Sequence, residues 1–115
     1  MGRHNITLGR LAEQRTAAAY EAQGYEVLAR NWRHGRHGEI DLVLTRAEVL
    51  VVCEVKARSS DRFGTPADAV DHRKQQRLRR LAVAFLAAHE LRPRIVRFDV
   101  ACVRGQVIDV IESAF

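Results

Sequence analysis

Apolar positions change their spacing several times along the chain, and each change marks an element. Leu8, Leu11, Ala12, Ala18, Ala19 and Ala22 recur at helical intervals, with Thr7 at the cap position and Gly24 at the stop, so a helix is predicted over about Leu8 to Gln23. The interval then shortens to two. Tyr25, Val27 and Ala29 alternate with polar residues and predict a short strand from Tyr25 to Asn31. Arg33 to Gly38 reads as a basic, glycine-containing loop. Two strands follow, Glu39–Thr45 and Val49–Lys56, joined by a turn near Ala47 and Glu48. Arg58 to Gly64 is a polar loop. Thr65-Pro66 predicts a helix start, and the helical pattern runs to about Glu90 with a break near Asp71. Leu78, Leu81, Ala82, Phe85 and Ala88 form its apolar face. Pro93 prevents continuation, and Ile95–Val103 and Gln106–Ile111 make a second hairpin around Arg104-Gly105.

The predicted order is α-β-β-β-α-β-β. A helix between the third and fourth strands is a crossover, which makes those two parallel and the five-stranded sheet mixed. The 115 residues suit one α/β domain over 1–115. With 47% hydrophobic and 29% charged residues the chain can bury a core, which argues against a disordered segment. No apolar run approaches the ~20 residues that span a bilayer, and no signal-like stretch opens the chain, so no membrane partner and a cytoplasmic location are expected. Cys53 and Cys102 lie in apolar surroundings and read as reduced core residues.

Charge changes the picture. Lys and Arg number 19 against 14 Asp and Glu, for a net charge of +5, and only Lys56 and Lys74 among the 19 are lysines. Arginine forks match phosphate geometry, so a polyanionic partner such as nucleic acid is indicated. Arginine-rich codon usage would produce the same excess.

The central hairpin carries the candidate chemistry. With the turn centred between Ala47 and Glu48, cross-strand partners sum to 95: Leu42 faces Cys53, Asp41 faces Glu54, and Glu39 faces Lys56. Alternation then places Glu39, Asp41, Glu54 and Lys56 on one face and Ile40, Leu42, Leu44, Val51, Cys53 and Val55 on the other. Three carboxylates crowded at one strand end repel, by about 1 kcal/mol per pair at ~4 Å in water and by more where the dielectric is lower. Lys56 relieves part of this and a divalent cation would relieve more. A surface salt-bridge cluster is the alternative. Glu13, between the small neighbours Gly9 and Ala17, can bring a further carboxylate, and Lys74 stands at the edge of the second helix's apolar face. The plain alternatives are a solvated helix residue and a snorkelling lysine.

Glu39-Ile40-Asp41 followed by Glu54-Val55-Lys56 resembles the PD-(D/E)xK nuclease superfamily, which pairs an Asp with an acidic-x-Lys on the next strand. Gly9 and Glu13, Gly24-Tyr25, Asn31 and Arg33, Gly38 to Asp41, Glu54 to Lys56 with Arg58, Phe63-Gly64 with Pro66, Lys74, Arg97-Phe98-Asp99 and Ala114-Phe115 together resemble the YraN family of small bacterial proteins. The resemblance implies a restriction-endonuclease-like core related in fold to Holliday-junction resolvases. It implies Glu13, Asp41 and Glu54 as ligands of Mg²⁺ or Mn²⁺, with the Val55 carbonyl as a further candidate, and Lys56 as the catalytic lysine. Arg33, Arg36, Arg58 and Lys74 would hold a nucleic-acid backbone, DNA first.

Three functions stay open: a metal-dependent endonuclease acting on DNA, branched or damaged DNA included; a binding module that keeps the nuclease fold without the activity; and a protein-interaction domain with an incidental basic surface. A resolvase would call for a two-fold homodimer. Ile108, Val110, Ile111 and Phe115 could serve that interface or the core.

Overall fold

A helix that is apolar along one side needs a sheet to cover, and here two such helices cover opposite faces of one sheet. The computed structural model describes residues 7–58 and 70–115. Its elements are α1 (Leu8–Ala22), β1 (Glu26–Arg33), β2 (Glu39–Arg46), β3 (Val49–Ala57), α2 (His72–Ala88), β4 (Ile95–Arg104) and β5 (Val107–Ile111). The strands lie side by side in chain order; β3 and β4 are parallel and the other pairs antiparallel. This is the mixed α/β arrangement predicted, in the predicted order.

The two clusters of buried side chains lie on the two faces. On one, Leu78, Leu81, Ala82 and Phe85 of α2 pack on Val43, Leu50, Val52, Phe98 and Val100. On the other, Ala17 and Tyr20 of α1 pack on Leu42, Leu44, Val51, Cys53 and Ala101. Both cysteines are buried and unpaired, as expected.

Two expectations about the helices are corrected. The buried line of α1 is Ala12, Thr16, Ala17 and Tyr20, while Leu8, Ala18 and Ala22 are exposed. Thr16 escapes an apolar count because its hydroxyl is satisfied locally, donating to the Ala12 carbonyl at 2.8 Å. The break expected near Asp71 is present: helix α2 starts at His72, with the Asp71 carboxylate accepting from the Lys74 N–H at 2.9 Å. The predicted start at Thr65-Pro66, like Phe63-Gly64 and most of the polar loop, lies outside the described residues. Ala88, assigned to the buried face of that helix, is exposed.

The hairpin register holds from Arg46↔Val49 to Leu42↔Cys53 and then stops. Asp41 and Glu54, and Glu39 and Lys56, are not ladder partners. Instead the Asp41 carboxylate accepts the Val55 N–H at 2.8 Å. Ile40 also departs from the predicted face, packing with the α2 cluster and not with Leu42 and Leu44. The cause lies next door in β1. Asn31 takes φ 50°, a left-handed conformation that asparagine tolerates, and the Asn31/Asp41 pair drops out of a ladder that continues on both sides as Arg30↔Leu42 and Trp32↔Ile40. Alternation therefore reverses in both strands. Trp32 and Ile40 swing together toward α2, and Asn31 and Asp41 are left facing a cleft.

Candidate active site

The cleft opens at the end of the sheet where the two helices approach it. Its volume is about 440 Å³. Glu13 comes from α1, Asn31 from β1, Asp41 from β2, Glu54 from β3, and Lys74 and Arg77 from α2. Arg10, Arg33 and Glu39 line its rim. Residues scattered over 68 positions of sequence, from Arg10 to Arg77, thus meet in one place.

Glu54 sits deepest, 4% exposed. A buried carboxylate must be paired, and it is: the Lys56 ammonium lies 3.2 Å from Oε2, and the Lys74 ammonium contacts the same oxygen. Lys56 reaches it from the same strand and Lys74 from across the cleft. Burial pulls the Lys56 ammonium below its ordinary value, and the neighbouring Lys74 adds to this. Lys74 moves the other way: burial again lowers it, but the contacts with Glu54 outweigh burial.

Among the described residues Asp41 forms no direct ion pair with a lysine, although its charge acts on Lys74. Burial and then the adjacent Glu54 charge push its carboxyl up to about 7, against the partial relief of the Val55 N–H, and Glu13 contributes further repulsion. Near neutrality this position holds either a proton or an excess negative charge.

Glu13 turns its carboxylate to Asn31, which donates from Nδ2 at 3.0 Å, and lies 3.6 Å from Arg10. Arg10 also donates to the Asn31 side-chain oxygen Oδ1. Among the described residues no group of three or more His, Cys, Asp or Glu side chains is arranged to hold a metal ion. The pair Asp41 and Glu54 nevertheless fits Mg²⁺ or Mn²⁺. These are hard cations that accept one or two carboxylates and fill the remaining positions with water. A dication beside Asp41 would offset the repulsion that raises its pKa. Glu13 stands in the same cleft, where water can bridge it to such an ion.

The predicted phosphate-binding residues divide. Arg33 lines the cleft, is largely exposed and pairs with Glu39 at 3.0 Å. Arg36 is exposed in the β1–β2 turn. Arg58 donates its backbone N–H to the Val103 carbonyl at 2.8 Å and is not among the residues that line the cleft. Sequence reading missed Arg10, Asn31 and Arg77. Arg77 had a signal, since it follows Lys74 by three residues and so shares its helix face. Gly38, at φ 104°, lets the chain pass close to the Arg77 side chain.

The profile of the uncharacterised protein family UPF0102 matches residues 12–103, which includes every cleft carboxylate. The chain belongs to this family. UPF0102, the YraN family of small bacterial proteins, is thereby confirmed as the group whose motifs the sequence resembles. A UPF0102 protein of Parafrankia sp. (strain EAN1pec) is 52% identical over 96 residues, covering 84% of this chain and 80% of that protein. One from Moorella thermoacetica is 43% identical over 113 residues, covering 93% of each. One from Syntrophus aciditrophicus is 38% identical over 115 residues, covering 96% of this chain and 90% of its own length. Among the described residues of this UPF0102 chain, no helix is long and apolar enough to cross a membrane.

Proposed function

We propose that this chain is a metal-dependent endonuclease that hydrolyses phosphodiester bonds in DNA, branched or damaged DNA included. The observation that carries the reading is the forced proximity of Asp41 and Glu54 in an open, arginine-rimmed cleft, with Lys56 beside them. Repelling carboxylates cost stability, and such a cost is expected where the pair serves a function.

Asp41 and Glu54 would hold the ion. When bound, Mg²⁺ supplies positive charge that activates water and draws charge off the phosphate. Lys56, whose proton is already loosened by burial, can orient a water or balance charge developing on the phosphoryl oxygens. Arg10, Arg33, Arg77 and Lys74 offer cations to successive phosphates, contacts that position a strand without reading its sequence.

A second reading has its own observation. Two lysines already neutralise Glu54, so the fold tolerates this acid without a metal, as a binding module would. A gel assay on linear, nicked and four-way DNA with Mg²⁺, Mn²⁺ or EDTA separates the two. Metal-dependent cleavage that disappears in Asp41→Asn and Lys56→Ala is the expected result. Binding in EDTA with no cleavage under any metal selects the module.

A further inference from the structure

The turn beside the cleft carries a column of stacked rings that the proposed mechanism does not use. Trp32 is anchored edge-on against buried Phe85, with centroids 5.2 Å apart and planes at 84°. His34 stacks on Trp32 at 5.7 Å and 8°, and His37 stacks on His34 at 5.6 Å and 23°. The column thus starts in the core and ends at an exposed imidazole. The turn that presents it is closed by the His37 N–H on the His34 carbonyl at 3.0 Å and by Gly35 at φ 57°. Its two ends, Arg33 and Gly38, both line the carboxylate cleft.

Near-parallel rings on a solvent-facing turn invite one more flat ring. Arg33 and Arg36, both exposed and flanking the imidazoles, favour an anionic linker on that ring. A flat ring on a phosphate backbone is a nucleotide. In a duplex each base is already stacked on both faces, whereas an unpaired base has a face to offer.

We infer that His34 and His37 form a stacking platform for an unpaired base, so that the preferred substrate presents a single-stranded segment next to the carboxylate cleft. This rests on the nucleic-acid reading above and names the substrate class within it. The platform positions the strand; the rings take no part in hydrolysis.

The test is fluorescence anisotropy in EDTA with two probes, a short DNA duplex and the same duplex extended by an unpaired tail. The tailed probe should bind about ten-fold tighter. The double variant His34→Ala/His37→Ala should bring that ratio close to one, while His37→Phe should retain it. Both positions are exposed on a turn, so neither change threatens folding. A 2-aminopurine in the tail should lose fluorescence on binding the parent chain and keep it with the double alanine variant. Equal affinity for the two probes, or a ratio unmoved by the double variant, overturns the platform and leaves the nuclease reading standing. Failure of both probes to bind at low salt defeats the nucleic-acid reading and the platform with it.

Discussion

The sheet buries acids in two places, and the two are opposites. Asp99, on β4, is fully buried and fully answered. Arg97 donates to both its oxygens at 2.9 Å, the Tyr20 hydroxyl to Oδ2 at 2.6 Å, and the Ser113 N–H to Oδ1 at 3.1 Å. The arginine is held well above its ordinary range, by Asp99 first. Asp41 receives one backbone N–H and faces two other carboxylates. The first cluster has donors to match its charge, and its role is exhausted by holding α1, β4 and the C-terminal segment together. The second leaves Asp41 with a single donor among other carboxylates and opens onto solvent. An acid short of partners in an open cleft has binding capacity left over; an acid with four donors has none.

The sharpest way to break this contrast is to remove each acid in turn. Asp99→Ala strips Arg97 of its main partner and should cost about 3–5 kcal/mol in urea denaturation. Asp41→Asn keeps an acceptor for the Val55 N–H and should cost nothing. Equal losses in the two variants would mean that Asp41 is structural as well.

Activity should divide the other way. Lys56→Ala and Asp41→Asn should each lower Mg²⁺-dependent cleavage by about 10²–10³-fold while remaining folded. Conversely, any residual folded Asp99→Asn should cleave at close to the parent rate.

The pH dependence of stability sharpens the comparison further. The Asp41 carboxyl rises from 3.8 to about 7 on folding. The folded chain therefore retains a proton that the unfolded chain releases. Its contribution to stability is full below about pH 4 and is lost as pH rises through about 7. In EDTA, Asp41→Asn should flatten this slope and be more stable than the parent at about pH 8, by about 2 kcal/mol after solvent screening of a part-exposed carboxyl. A parent and variant with parallel pH profiles would remove the charge crowding from the account.

The smallest effect expected is thermal. Mg²⁺ bound only by the folded chain should raise the melting temperature by several degrees, and Asp41→Asn should remove the rise. An equal shift in both would place the ion elsewhere.

Much of this was readable from residue order. The hairpin register followed from the turn alone, because Ala47 takes the left-handed conformation, φ 52°, that a tight two-residue turn needs. The parallel crossover followed from a helix between two strands. Asp41, Glu54, Lys56, Glu13 and Lys74 were all legible as a group, since strand alternation and helix spacing are local. What failed was local regularity applied one residue too far. The reversal at Asn31 depends on one backbone angle, and its trace in sequence is faint: an asparagine, poor in strands, ahead of a tryptophan. The Asp99 cluster was visible only as part of a motif, because Tyr20, Arg97 and Ser113 meet it through tertiary packing.

That single left-handed residue has a use beyond this chain. A designer who wants a charged group on a strand otherwise committed to greasy surroundings has two costly options, a polar gap in the core or an insertion that shifts every downstream position. The kink at Asn31 offers a third: the pairing count is preserved, and the inside and outside of two adjacent strands trade places from that point on.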